Sequence, residues 1–412
     1  MSKQEIKVHN LSNGMTLVAE KIREVSSGAF IFLLPVGSAR DPVDRGGTAT
    51  VLSELLFRGA GTMDNRSLNE RLDALGLQRH SSISSTHMAL SGALVADKLL
   101  ETIELYADII CRSRLENDHF ALCRELALQS LDSLEDDPRQ KIGLLVREQY
   151  FPYPFGRPAP GKKQELQKLE IKDVKSHWQG MFSPRGTILA AAGNIDFEKL
   201  IEVVETHFGN WQGNTPDKII QNACREKFYH QQHEGAQIHI GLMYPSVHVQ
   251  GDHYYRALTA VEVLSGGMGS RLFTEVREKR GLCYAVGARH HINGPFGAVQ
   301  CYVGSSPDRA QEALDVMIAE LVKLSEGITQ DELDRAKVGL RATLIMQGES
   351  TQARAAACAG DLYHLKRVRS LEEIENAILS LTVQDVLEFV KEHPAQKFTV
   401  ATIGPRELTV KQ

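Results

Sequence analysis

The sequence predicts an α+β protein of two homologous domains, each a mostly antiparallel sheet with helices packed on one face. Three observations carry this. First, segments recur at a nearly constant spacing. Asp97-Lys-x-x-Glu-x-x-Glu resembles Asp308-Arg-x-x-Glu-x-x-Asp, offset 211, and Leu115-Glu-Asn-Asp-His-Phe resembles Ile328-Thr-Gln-Asp-Glu-Leu, offset 213. Asp173-Val resembles Asp385-Val, offset 212, and the strand Thr187–Gly193 resembles Phe398–Gly404, offset 211. Four weak matches in one register mean a duplicated unit. Second, the elements do not alternate strand and helix as a doubly wound sheet requires; strands and helices come in runs. Third, 412 residues exceed what one hydrophobic core serves. The expected division is a domain at 1–213, a linker at 214–226 around Asn214-Thr-Pro216-Asp, and a domain at 227–412.

The elements follow in order. Ile6-x-Val8 and Met15–Ala19 flank Asn13-Gly14, a hairpin signal. Ala29–Val36 is a continuous apolar run, as in a buried strand. Gly47–Gly59 reads as a short amphipathic helix, and Leu68–Leu77 as a second one ended by Gly76. Ser81–Leu94 alternates like a strand. Asp97–Cys111 carries Leu99, Leu100, Ile103, Tyr106, Ala107 and Ile110 at helical spacing. Glu116–Leu134 is a long helix. Pro138, Pro152, Pro154, Pro158 and Pro160 then predict an irregular region. A helix at Lys172–Met181, a strand at Thr187–Ala192 and a helix at Phe197–Phe208 close the first half.

Composition excludes several classes. A net charge of −5 and a pI near 6.3 argue against nucleic acid as the main partner. Cys111, Cys123, Cys224, Cys283, Cys301 and Cys358 form no Cys-x-x-Cys pair and read as free thiols of a reducing compartment. No apolar run follows the first lysine as in a signal peptide, and none is long enough to span a bilayer. The expected location is the cytoplasm.

Two stretches bear on chemistry. In the first, Gly47–Gly59, a helical wheel gathers Val51, Leu52, Leu55 and Leu56 on one side and Thr50, Ser53 and Glu54 on the other, with Phe57 breaking the split. The pattern Gly-x-Ala-x-x-Leu-x-x-x-x-Phe-x-Gly resembles the signature helix of the M16 (pitrilysin, or insulinase-like) metallopeptidases, subfamily B, which includes the mitochondrial processing peptidases. There the helix carries H-x-x-E-H, with zinc on the two histidines and a water activated by the glutamate. The resemblance puts the histidine positions on Thr50 and Glu54 and the glutamate position on Ser53, so all three are replaced. A downstream glutamate is the family's third ligand. Ser130 is the matching position, with Glu125 and Glu135 as alternatives one turn or more away. Neutral hydroxyls are poor zinc ligands, and these positions assemble no set of three good ones. The competing reading is a solvated helix face. No metal and no other cofactor is expected in this chain.

The second stretch is Ser265–Tyr284, with Ser270-Arg-Leu-Phe and Val276-Arg-Glu-Lys-Arg-Gly-Leu-Cys-Tyr284. It resembles the family's "SRLF…LREKRGLAY" segment. The resemblance implies that Arg277 and Tyr284 bind substrate and steady the oxyanion that develops at zinc. The residues themselves allow this: a helix over Thr274–Arg280 stopped by Gly281, then a strand Tyr284–Ala288, would bring a guanidinium and a phenol to one anion. The plain alternative is a surface arginine beside a half-buried sheet tyrosine.

Other motifs carry less. Gly266-Gly267-x-Gly269-Ser270 lacks the Lys-Ser/Thr of a phosphate loop. His230-x-x-His233-Glu234 has zinc-motif residue types, but strand spacing sends positions i and i+3 to opposite faces. His290 and His291, and His80 and His87, read as sheet residues.

The first half has lost the family's zinc donors and the second keeps the Arg/Tyr pair. In two-chain members of the subfamily the zinc site of one chain faces the C-terminal domain of the other. The resemblance therefore implies a non-zinc-binding subunit, inactive alone, of a heterodimeric M16B peptidase. The partner is a homologous chain with an intact H-x-x-E-H holding the zinc, and the substrate is a peptide. Two alternatives remain open at this stage. One is an inactive scaffold or peptide-binding protein resembling the bc1 core subunits, and the other is a homodimer with a relocated metal.

Overall fold

A computed structural model describes residues 4–214, 217–220 and 227–410. Most of the expected linker, 215–216 and 221–226, falls outside them together with Cys224. The first half holds β1 (Glu5–Asn10), β2 (Thr16–Lys21), β3 (Ser27–Leu34), α1 (Thr48–Leu55), the short pair β4 (Gly59–Ala60) and β5 (Met63–Asp64), α2 (Asn65–Ala74), β6 (Gln78–Ile83), β7 (Met88–Val95), α3 (Leu99–Cys111), α4 (Asn117–Glu135), α5 (Pro138–Tyr150), α6 (Lys163–Gln167), α7 (Ile171–Met181), β8 (Ile188–Gly193) and α8 (Phe197–Phe208). The second holds β9 (Phe228–Gln232), β10 (Ile238–Ser246), α9 (Tyr254–Ser265), a π-helical segment (Phe273–Glu278), β11 (Ala285–Asn293), β12 (Phe296–Ser305), α10 (Ala310–Lys323), α11 (Gln330–Gly348), α12 (Thr351–Leu365), α13 (Leu371–Leu379), α14 (Val383–Glu392) and β13 (Thr399–Gly404).

The α+β class stands, and the duplication is visible in the strand order. The first sheet runs β1-β2-β8-β3-β7-β6 and the second β11-β12-β10-β13-β9. Remove β1 and read one backwards, and the two orders coincide. Each has a single parallel pair, β2 with β8 and β13 with β9, and is otherwise antiparallel.

Residue boundaries differ from expectation in instructive ways. The stretch Ser81–Leu94 is a hairpin turn plus two strands, β6 and β7, because Ser84 receives the backbone N–H groups of Thr86 and His87 on its hydroxyl. The proline-rich region is not irregular throughout. Pro138 occupies the first turn of α5, and the Asp137 carboxylate accepts from the Gln140 N–H as its cap. A proline there gives up an N–H that has no helical partner in any case.

The contiguous domains expected from sequence are corrected by an exchange. One compact unit comprises 1–132, 157–220 and 346–370; the other comprises 133–156, 221–345 and 371–412. Helix α12, unassigned from sequence, lies on the first sheet, where Cys358, Ala359 and Leu362 pack on Val18, Ile188 and Ala190. Helix α5 lies on the second sheet, with Ile142 and Val146 against Gly241, where an added Cβ would meet both at 3.1 Å. Each sheet thus has helices on both faces, not one. The main cores sit on the opposite faces: Phe30, Phe32, Leu90 and Leu189 of the first sheet pack with Leu52, Leu55, Tyr106 and Phe208, and Leu242, Val299, Cys301 and Val400 of the second with Leu264, Leu314, Met317 and Phe389.

Candidate functional site

The motif helix α1 is firmly placed. Buried Asp41 accepts the N–H groups of Gly47 (2.8 Å) and Ala49 (2.9 Å), closing its first turn. Val51, Leu52, Leu55 and Leu56 are fully buried, as the wheel predicts. The polar side is not assembled for a metal. Thr50 Oγ1 donates to the Ala159 carbonyl at 2.6 Å, and Ser53 Oγ to the Thr50 carbonyl at 2.8 Å. Ser53 is buried rather than facing a bound ion. Glu54, Ser130 and Glu125 are exposed, and Glu135 pairs with Lys141. The donor chemistry does not fit zinc: two hydroxyls are committed to backbone carbonyls, and one carboxylate is not a ligand set.

Among the described residues, the one cluster of three candidate ligands is His253, Glu392 and His393, whose ligand atoms lie within 4.8 Å of one another, with Glu392 and His393 exposed. Nothing in sequence spacing announces it, because 139 residues separate His253 from Glu392.

His230 is held by Thr402 at 2.8 Å in β9, apart from His233 and Glu234. His290 and His291 lie in β11 with pKa values pushed down to about 4 by burial, and buried His87 falls to about 3 for the same reason. These rings are neutral at pH 7. His80 is an exposed β6 residue, as expected, whereas His87 belongs to the hairpin turn.

The Arg/Tyr stretch is assembled. Arg271 Nε donates to Glu332 Oε1 at 2.6 Å, and its Nη2 to Glu332 Oε2 at 2.9 Å and to the Gly327 carbonyl at 2.6 Å. Burial raises the Glu332 carboxyl, but Arg271 and Thr329 outweigh it and hold the pKa down to about 2. This fork pins the start of the π-helical segment to α11. The expected α-turn is widened, with Lys279 N–H reaching the Thr274 carbonyl at 2.9 Å; such widenings recur at functional sites. Gly281 takes φ +57°, the left-handed stop that glycine suits. The chain turns back, and β11 begins at Ala285, one residue later than expected.

Arg277 and Tyr284 are brought together. The Arg277 guanidinium lies 4.8 Å from the Phe273 ring centroid and 5.4 Å from that of Tyr284. Tyr284 is 78% exposed. Among the described residues, Arg277 has no carboxylate partner and the Tyr284 hydroxyl no hydrogen bond. A cation and a phenolic donor therefore stand side by side at the surface, neither spent on an ion pair or hydrogen bond among the described residues.

Residues 17–158 match the model of the insulinase family (peptidase family M16), and residues 168–340 that of the peptidase M16 inactive domain. The chain belongs to peptidase family M16. An uncharacterized zinc protease of Mycobacterium tuberculosis is 25% identical over 406 residues, covering 96% of this chain and 92% of that one. A peptidase M16 inactive domain from Pseudomonas fluorescens superposes with a TM-score of 0.89 at 18% identity, covering 99% of this chain and 100% of the other. A chain of complex III2 from Candida albicans gives 0.84 at 17%, covering 97% and 96%. Within M16 the match to the inactive-domain model and the likeness to the Pseudomonas fluorescens inactive domain support a chain of the non-catalytic kind. No described helix is long and apolar enough to cross a membrane.

Proposed function

We propose that this chain is the non-metal subunit of a heterodimeric M16B peptidase, placed in the cytoplasm, whose partner is a homologous chain with an intact H-x-x-E-H. The partner's H-x-x-E-H would hold zinc, which would supply Lewis-acid polarisation of the scissile carbonyl of a bound peptide. Arg277 and Tyr284 of this chain act in trans. The guanidinium fork orients the peptide, and the phenolic O–H donates to the oxygen that gains charge in the transition state. The observation that carries this reading is the juxtaposed, internally unpartnered pair in a chain whose motif helix has no zinc donors.

The test begins with native co-purification and mass spectrometry for a near-stoichiometric partner carrying H-x-x-E-H. In the reconstituted complex, Tyr284→Phe, which removes the oxyanion donor, is expected to lower turnover roughly 10²–10³-fold, and Arg277→Ala, which removes the orienting fork, roughly 10-fold or more, without dissociating the subunits. Unaltered cleavage in both variants would sink the proposed role. The second reading, an inactive scaffold or peptide-binding subunit, draws on the fold likeness to the complex III2 chain. It predicts no H-x-x-E-H partner and no effect of either substitution.

A further inference from the structure

Helix α5 covers the second sheet only in part. It packs on β10 and β13, and beside it the same face of β11 and β12 stays open. The opening is a cleft of about 730 Å³, lined by Arg139, Gly143 and Arg147 of α5 and by Arg289, Gln300 and Tyr302 of the sheet. That volume lies within the range of small-ligand pockets, roughly 300–1,000 Å³. Strand register explains the lining: Gly287 pairs with Tyr302 and Arg289 with Gln300, so these side chains share the face toward α5. Gly143 and Gly287 bring no side chains to fill the space.

The charges in this cleft are not balanced. Arg147 Nε donates to the Gly143 carbonyl at 2.7 Å, and Arg289 Nη2 to Gln300 Oε1 at 3.1 Å. Both acceptors are neutral, and among the described residues neither guanidinium has a carboxylate partner. Gln300 in turn donates to the Gly143 carbonyl at 3.3 Å, which fixes the side chain that holds Arg289. Burial and the neighbouring Arg289 both push the Arg147 pKa down, as two cations facing one another should. Arg139 lies over the Tyr302 ring at 5.4 Å. The one acid in the lining, Asp137, is engaged as the cap of α5. Three guanidiniums thus meet one carboxylate that already has a role. On the corresponding face of the first sheet the arginine is neutralised from within: Arg354 Nε donates to Glu20 Oε2 at 2.8 Å, both residues buried.

We infer that the cleft between α5 and β11–β12 is a binding site for a carboxylate-bearing ligand, an acidic side chain of a peptide, held by Arg147 and Arg289. The missing acid of the second sheet is then supplied by the ligand. Guanidinium forks match carboxylates in geometry, and Arg147, partly desolvated beside a second cation, gains more from an anion than an exposed arginine does. The aliphatic parts of the ligand meet Leu144 at the same cleft.

The test is isothermal titration of the full chain with a blocked hexapeptide containing two glutamates, its glutamine counterpart, and succinate. The glutamate peptide is expected to bind, with the glutamine peptide at least tenfold weaker. Arg289→Gln, at an exposed position that leaves the fold intact, should weaken the glutamate peptide at least tenfold, and Arg147→Gln, checked by thermal melting, by as much. Succinate binding that is lost in Arg289→Gln, with no peptide binding, keeps the carboxylate site and identifies a free acid as its source. Equal binding of the two peptides, binding unchanged in Arg289→Gln, or no binding of any probe overturns the inference. The outcome is independent of the partner subunit, so it leaves the roles of Arg277 and Tyr284 to their own test.

Discussion

The two units have the same strand order and solve the same covering problem in different ways. In the first, α12 closes the outer sheet face with small apolar residues and a buried ion pair, Arg354 with Glu20. In the second, α5 covers β10 and β13 and leaves a cationic cleft over β11 and β12. The candidate chemistry divides the same way. The first unit has the motif helix with its hydroxyls committed to carbonyls, and the second has Arg277 and Tyr284 uncommitted. Duplication preserves topology, which many residues enforce together, while each copy is free to lose the few residues a particular chemistry needs.

The largest effect expected on stability separates the two covering helices. Arg354→Ala leaves Glu20 charged, buried and without its arginine, and should cost about 3–5 kcal/mol in urea unfolding at pH 7. The corresponding residue 213 positions earlier is Lys141, whose partner Glu135 is 60% exposed. Lys141→Ala should cost under about 1 kcal/mol. Equal costs would remove the asymmetry. Next, Gly241→Ala inserts a methyl where Ile142 and Val146 already stand at 3.1 Å. It should destabilise by about 1–3 kcal/mol through overpacking, read from the same unfolding curves.

A pH series sharpens the comparison further. The Glu332 carboxyl is depressed to about 2 in the folded chain, from an ordinary 4.5. Its contribution to stability is therefore present above about pH 4.5 and lost as pH falls toward 2. Denaturant midpoints of the native chain and of Glu332→Gln should differ at pH 5 and converge near pH 2. A constant difference would mean that the Arg271 fork does not anchor the π-helical segment through charge. The smallest effects belong to positions that the family resemblance matches to zinc ligands. Glu54→Gln and Ser130→Ala, both at exposed sites, should change stability by under about 0.5 kcal/mol and leave the zinc content of the purified chain unchanged.

Much of this was legible from residues with a mechanical reason to be where they are. Asn13-Gly14 announces its hairpin, and Gly281 its left-handed stop. The register of Asp97 with Asp308 and of Asp173 with Asp385 announces the duplication. Helix α5 is hidden in the sequence because a run of prolines signals broken structure, whereas Pro138 starts a helix behind its Asp137 cap. The exchange of α5 and α12 was hidden for another reason: periodicity reveals which face of a helix is apolar, not which sheet will receive it. On the wheel Ser53 shares a side with Glu54, yet its hydroxyl turns inward to the Thr50 carbonyl, a choice that local spacing does not encode. The Arg277–Tyr284 approach is allowed by the residues and implied by the resemblance, whereas the π-helical turn beside it is not, since spacing suggests an ordinary helix there. The cleft arginines, 142 residues apart, left no trace in the sequence at all.

Helices α5 and α12 also bear on how the chain came to be built. Each half carries a helix that completes the other half's sheet, at matching places in the repeat. A single ancestral half would have found its missing layer on a second copy of itself, trading helices as a reciprocal swap between identical chains. Joining two such copies end to end would make the trade internal and release each copy from identity with the other. Two fragments produced by cutting between 213 and 227 should therefore be sticky and poorly folded apart, and should recombine when mixed into one split but native particle.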